Sequence, residues 1–113
     1  MKYTGTIIGL EASEGSIYNI TTIDKKCKAW KANVTAEIEG KMLSINFHWD
    51  RNRYECKLSL LKENYYTGEI SAEGDEGKIF LWKFDYKNNL MFKGEFVEHE
   101  VGTYECFIEL KLL

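Results

Sequence analysis

The sequence predicts an all-β protein, a single-domain antiparallel up-and-down meander of about eight to ten strands closed into a small barrel, with a β-sandwich as the alternative. Apolar residues recur at every second position almost throughout, which is the period of half-buried strands and not of helices. Turn-forming clusters of glycine, asparagine, aspartate and serine separate these runs at near-regular intervals. Proline is absent, so the residue that most often interrupts strands is missing.

The first predicted strand, 2–10, is the least regular because Ile7 and Ile8 are adjacent and blur the alternation. The next two runs of alternation, 16–23 and 27–38, are each bounded by clusters of polar residues that favour turns. The remaining predicted strands are 41–49, 53–62, 65–72, 77–87, 89–97 and 103–112, and the turns are 13–15, 24–26, 39–40, 50–52, 73–77, 88–89 and 98–102.

The stretch MLSINFHW shows the alternation most clearly, with Leu43, Ile45 and Phe47 separated by polar residues. The stretch YECKLSL at 54–60 repeats this pattern. A third alternating stretch, KIFLWKFDY, carries large aromatic residues in one parity, and we assign that parity to the interior: Phe80, Trp82, Phe84 and Tyr86.

With these assignments the inward positions collect the aromatic residues of the chain, with Tyr65 and Phe107 as the exceptions. This asymmetry favours one closed interior. A barrel of this size has room for its own side chains or for one small ligand. Small inward residues leave space for a pocket at one end: Gly5, Ala32, Ala36, Gly68, Ala72 and Gly94.

The tripeptide Tyr-Thr-Gly occurs twice, at 3–5 and 66–68, and YECKLSL at 54–60 has a counterpart, YECFIEL, at 104–110. Two explanations remain open: related meander halves, 1–62 and 65–113, within the single domain 1–113, or chance similarity between strands of one pattern. Either way, an inward glycine lets a strand bend sharply or makes room for a bulky neighbour.

The number of strands and their alternation resemble calycin-like meander barrels, the group that includes lipocalins, fatty-acid-binding proteins and avidin-type proteins. The resemblance covers most of the chain. The early Gly-x-Trp motif of lipocalins is absent, so no binding residue is transferred from that group. Fold-level resemblance alone does not specify a function.

The charge balance argues against nucleic-acid binding, because 15 basic and 18 acidic residues leave a net charge of −3 and no basic stripe. The chain has neither a signal-peptide pattern nor an apolar stretch long enough to span a bilayer. We therefore expect a cytoplasmic protein that does not bind membranes. The three cysteines form no CxxC pair, and reduced, mostly buried thiols are the expectation.

No catalytic constellation is recognisable, and we predict a non-enzymatic protein without a cofactor or metal. The histidines, His48 and His99, both fall at outward positions near strand ends, where a solvated polar residue is the usual occupant. Cys56 and Cys106 lie on the apolar faces of their strands, where cysteine behaves as a small hydrophobe. Cys27, between two lysines, is the thiol most suited to exposure.

Two functions remain open. In the first, the protein binds a small, partly apolar or aromatic ligand in the barrel mouth through inward rings that also carry hydrogen-bonding groups. These residues are Tyr18, Trp30, Trp49, Tyr54, Tyr66, Trp82 and Tyr104. In the second, it is a protein-interaction module of inhibitor, immunity or accessory type that acts through an outer apolar face, as a homodimer or with another protein. The predicted interface residues are Ile79, Leu81, Met91 and Phe107.

Overall fold

A computed structural model describes residues 1–12, 27–98 and 102–113 of the chain. All regular secondary structure in these residues is β-strand. The strands are β1 (Lys2–Ala12), β2 (Cys27–Glu39), β3 (Met42–Trp49), β4 (Asn52–Lys62), β5 (Tyr65–Ala72), β6 (Asp75–Tyr86), β7 (Asn89–Glu98) and β8 (Gly102–Leu112).

These strands form a closed antiparallel barrel in which each pairs with the next and β8 returns to pair with β1. The closing ladder runs from Tyr3 opposite Leu112 to Glu11 opposite Tyr104. The predicted up-and-down barrel is therefore confirmed, and the sandwich is not the architecture. Eight predicted strands agree with observed ones to within two residues at either end, whereas the ninth, 16–23, lies outside the described residues.

Side chains fill the barrel interior along its length. Trp30 of β2 lies edge-on to Phe96 of β7, with ring centroids 6.3 Å apart. Because β1 and β8 separate these two strands in the wall, this contact crosses the lumen. Every strand contributes at least one side chain that is 2% exposed or less, including Ile7, Val34, Ile45, Leu58, Ile70, Leu81, Phe92 and Ile108.

Inward glycines lie where a side chain would collide with a neighbour, which confirms one of the two predicted purposes, room for a bulky neighbour. At Gly68, a Cβ atom would lie 1.9 Å from the Lys57 carbonyl oxygen, so glycine allows the backbones of β4 and β5 to approach. At Gly9, a Cβ atom would lie 2.3 Å from the indole ring of its cross-strand partner Trp30. There the missing side chain makes room for a bulky neighbour.

The predicted orientation of β6 is wrong. Ile79 and Leu81 face the interior with no exposed surface, whereas Trp82 lies outside and is 48% exposed. Phe84 and Tyr86 are also on the outer face, at 42% and 55% exposure, and Phe80 shares their parity. Trp82 is therefore not an interior residue, and Ile79 and Leu81 cannot belong to an outer interface.

The pairing of β6 with its neighbours explains this orientation. Ile79 lies opposite Gly68 of β5 and Phe96 of β7, both inward positions. Since β6 is apolar in both parities, the neighbouring strands decide which residues turn inward. The inward parity ends in Lys83 and Asp85 at the barrel rim, where charged side chains reach solvent.

Candidate binding surfaces

A groove of about 600 Å³ lies on the outside of the barrel across β5, β6, β7 and β8. Its volume is within the range of small-molecule and peptide sites. We call it the outer aromatic groove, and its lining residues are Tyr65, Phe80, Trp82, Phe84, Lys93, Gly94, Glu95 and Glu105.

Strand register places the rings of the groove side by side. Trp82 of β6 lies opposite Tyr65 of β5, and their ring centroids are 4.5 Å apart. Phe80 and Phe84 flank Trp82 at the same parity, two residues away in each direction along the strand. Residues two apart on a strand share a face, so β6 presents a continuous aromatic stripe to solvent.

A β-bulge in β4 brings a cation to the edge of this stripe. The register of the β4–β5 pair shifts between Leu60 and Lys62, so Lys62 pairs with outward-facing Tyr65. Bulges redirect side chains in this way. The Lys62 Nζ atom lies 5.6 Å from the Tyr65 ring centroid and 5.3 Å from that of Trp82, within the range of cation–π attraction.

Two carboxylates occupy the part of the groove next to Phe80. Glu95 of β7 lies directly opposite Glu105 of β8, and both are half-buried. The ion pairs in the described part of the chain are Arg53–Glu55 and Lys78–Glu69, so neither of these two carboxylates has a cationic partner there. The Nζ atom of Lys93, which also lines the groove, lies 5.9 Å from the Phe107 ring centroid.

Most of the predicted ligand-binding residues in the interior gather at one end of the barrel. Trp30 stacks on Trp49 at 4.6 Å. Tyr54 stacks on Phe47 at 4.8 Å, and Tyr104 stacks on Phe96 at the same separation. We call this set, Trp30, Phe47, Trp49, Tyr54, Phe96 and Tyr104, the aromatic end.

The other predicted ligand-binding residues do not join the aromatic end. Tyr66 is buried elsewhere, opposite Leu60 and edge-on to Phe92 at 5.8 Å. Trp82 lines the outer groove, and Tyr18 lies outside the described residues. The aromatic end therefore gathers four of the seven predicted residues.

The Trp30 indole N–H is a notable polar group at the aromatic end. Trp30 is 9% exposed, and its Nε1 atom is buried without a hydrogen-bond partner among the residues that the structure describes. Buried donors usually have a partner. The group could donate a hydrogen bond to a bound acceptor.

The remaining predicted interface residues, Met91 and Phe107, do face outward. Phe107 is 36% exposed and Met91 is half-buried. In the strand register, Met91 lies opposite Phe84 and Phe107 lies opposite Lys93. Both therefore adjoin the outer aromatic groove.

The buried thiols are poor nucleophiles. Burial, followed by the charges of Glu95 and Glu105, raises the pKa of Cys106 to about 12. Burial also raises the pKa of Cys56, with a smaller contribution from Cys106. Both are protonated at neutral pH, and the thiolate is the reactive form.

One of the two predicted histidines lies within the described residues. His48 is exposed on β3, and His99 lies outside the described residues. Within the described ranges, no group of three or more histidine, cysteine, aspartate or glutamate side chains is arranged to hold a metal ion. In the same part of the chain, no helix has the length and apolar character needed to span a bilayer.

Sequence reasoning missed the outer aromatic groove because it turned β6 the wrong way. The sequence does contain a sign of the correct orientation: the alternate positions of β6, Ile79 and Leu81, are also apolar. A strand with these two residues inside and the aromatic residues outside fits the alternation equally well. Glu95 and Glu105 carry no local motif, and they meet only through the register of β7 and β8.

No model of a known protein family matches this chain, and a search of curated proteins found no match.

Proposed function

We propose that this protein is a non-enzymatic binding module that recognises another protein through the outer aromatic groove. The observation that carries the proposal is the stripe of large rings that β6 exposes within a concave surface. Trp82 and Phe84 leave 48% and 42% of their surface in solvent. Single exposed apolar residues are common, but contiguous ones lining a groove are typical of binding sites.

The composition of the groove also supports protein recognition. Aromatic residues dominate the energetics of protein interfaces because they bury large flat surfaces with few rotatable bonds. Met91 and Phe107 extend the apolar surface next to the groove. Lys93, Glu95 and Glu105 add the polar groups that orient a partner.

A small ligand at the aromatic end is the second candidate function. The buried Trp30 indole N–H, which has no partner in the described residues, favours it, since an acceptor on a ligand would satisfy this donor. The contact of Trp30 with Phe96 across the lumen confines such a ligand to the mouth.

The three tryptophans allow one experiment to separate these functions. Their indole N–H signals in a ¹⁵N-correlated NMR spectrum report on the groove through Trp82 and on the aromatic end through Trp30 and Trp49. We would titrate capped tripeptides with apolar, cationic or anionic side chains, and a fragment set of small aromatic acceptors. Groove binding is expected to shift the Trp82 signal with tripeptides, and binding at the mouth would shift the Trp30 signal with fragments.

Trp82→Ala should abolish tripeptide binding, followed through backbone amide signals of β6 and β7. Tyr86→Ala is the matched control, because Tyr86 is an exposed aromatic of the same strand and parity that does not line the groove. If no tripeptide shifts groove signals, or if both variants weaken binding equally, the groove is not the recognition surface.

A further inference from the structure

We infer that the outer aromatic groove receives an arginine side chain carried by an extended segment of a partner protein. This inference rests on the proposed function and specifies the chemistry of the partner. Three features of the groove support it: two carboxylates with no ion-pair partner in the described part of the chain, rings that accept a cation, and its length.

The two carboxylates of the groove favour a cationic guest. Glu95 and Glu105 face each other across β7 and β8, an arrangement in which like charges are destabilising. Neither has an ion-pair partner among the described residues, and both are half-buried. Lys93 lies opposite Trp82, and Lys62 lies over the same ring, so the lysines are at the Trp82 end of the groove. The two glutamates are at the Phe80 end, and a guest with positive charge complements that end.

The rings select a cation that has a flat face. The Lys62 ammonium already lies over Tyr65 and Trp82, which shows that these ring faces accept positive charge. A guanidinium group stacks on an aromatic face and also donates paired hydrogen bonds to a carboxylate, whereas an ammonium group does not stack in this way. Arginine is therefore the natural side chain to stack on Phe80, which lies directly opposite Glu95.

The length of the groove favours a peptide segment over a free cation. The stripe from Phe80 to Phe84 spans four residue steps, roughly 13 Å at about 3.3 Å per residue. An extended peptide projects alternate side chains at the same spacing. An arginine next to the carboxylates and an apolar residue two positions away would thus occupy both parts of the groove.

The test compares the capped tripeptides Arg-Ala-Phe, citrulline-Ala-Phe and Lys-Ala-Phe, in which the first residue and the phenylalanine are two positions apart and share a face. Binding is measured by NMR titration of the groove signals. Citrulline keeps the shape of arginine and removes its charge. The arginine peptide is expected to bind about tenfold or more tightly than the citrulline peptide, because a hydrogen bond to a charged group contributes more than a neutral one. Equal binding of arginine and citrulline, or of arginine and lysine, would overturn the inference.

Variants locate the effect at the carboxylates. The double variant Glu95→Gln/Glu105→Gln should lose about tenfold or more in affinity for the arginine peptide. The control Glu37→Gln/Glu39→Gln makes the same change in net charge on β2, outside the groove. It should stay within about twofold, since distant surface charges are screened by salt. Equal losses in both variants would assign the effect to net charge and overturn the inference.

The groove double variant should also unfold at the same or a higher temperature than the wild type, since it removes a facing pair of like charges. This measurement separates lost binding from lost folding. If all three peptides bind equally, the groove still functions and only the arginine inference fails; if none binds, the proposed function fails with it.

Two other occupants are distinguishable in the same samples. Free arginine amide that binds as tightly as the tripeptide would overturn the extended segment. A concentration-dependent dimer in sedimentation, disrupted by Trp82→Ala, would show that a second copy of this chain covers the groove.

Discussion

Gly68 shows how closely neighbouring backbones approach in this barrel. A Cβ atom there would lie 1.9 Å from the Lys57 carbonyl oxygen and 2.6 Å from the Leu58 Cα atom. Backbone atoms of a paired strand cannot move aside as a flexible side chain can. The constraint on this position therefore comes from the neighbouring strand and not from the glycine's own dihedral angles.

We predict that Gly68→Ala lowers the free energy of unfolding by about 1–3 kcal/mol, the usual cost of forcing an extra carbon into a packed site. This cost outweighs the gain of roughly 0.4–1 kcal/mol that alanine brings by restricting the unfolded chain. Urea unfolding followed by far-ultraviolet circular dichroism measures the difference.

The control for this prediction is Gly40→Asn. Gly40 has a φ of 58° and open space around its would-be side chain, and asparagine tolerates the left-handed region. This variant should stay within about 1 kcal/mol of the wild type. A Gly68→Ala protein as stable as the control would show that the strands separate without cost.

Strand β6 has two apolar faces, one in the barrel interior and the other on the outer surface. Leu81 is fully buried between Tyr66 of β5 and Gly94 of β7. Phe84, on the other face, is 42% exposed. The larger ring is thus outside and the smaller aliphatic side chain inside, so size alone does not predict burial in this strand.

We predict that Leu81→Ala lowers the free energy of unfolding by about 2–5 kcal/mol, since it removes buried atoms and leaves a cavity. Phe84→Ala deletes a larger side chain from the same strand but should cost no more than about 1 kcal/mol, because the ring lies on the outer face and is already 42% exposed. The free energies of unfolding of both variants, measured by chemical denaturation, show which face of β6 is buried. A greater loss for Phe84→Ala would contradict the orientation described above.

The bulge in β4 changes the direction of one side chain at the outer aromatic groove. Without it, Lys62 would continue the inward parity of Leu58 and Leu60. The shift at Leu60–Lys62 turns the lysine outward, opposite Tyr65. One local irregularity thereby places a cation over two rings of the groove.

At the scale of the whole molecule, closure of the barrel brings the first and last strands together. Tyr3 lies opposite Leu112, and the Leu113 N–H donates a hydrogen bond to the Lys2 carbonyl oxygen at 3.0 Å. The two copies of Tyr-Thr-Gly fall on β1 and β5, and the two YEC segments fall on β4 and β8. Each pair is thus four strands apart, and the duplication of a half-barrel stays a prediction.

We predict that a circular permutant, with residues 113 and 1 joined by a short glycine–serine linker and new ends between Gly40 and Lys41, folds into the same barrel. The joined ends are adjacent, and the opened turn is exposed, as successful permutation requires. A strand-type circular dichroism spectrum and cooperative urea unfolding would confirm it.

The matched control is a permutant with the same linker that opens between Phe92 and Lys93, in the middle of β7. This strand pairs on both sides, so breaking it should prevent cooperative folding. Equal folding of the two permutants would show that continuity of the wall is not required.

The all-β class, the meander and the inward face of most strands follow from the amino-acid sequence alone. They do so because residues such as Leu43, Ile45 and Phe47 alternate with polar neighbours, and a period of two admits one buried face. The inward glycines were also predictable, since a strand that curls needs positions without a side chain.

The orientation of β6 and the composition of the groove depend on how the strands pair in the folded barrel. Both faces of β6 are apolar, as Ile79 and Trp82 show, so the alternation allows either face to point inward. Pairing with β5 and β7 fixes which face does so. Glu95 and Glu105 lie on successive strands and become direct neighbours only through the β7–β8 register. A binding surface assembled across strands depends on that register, which no single segment of the chain contains.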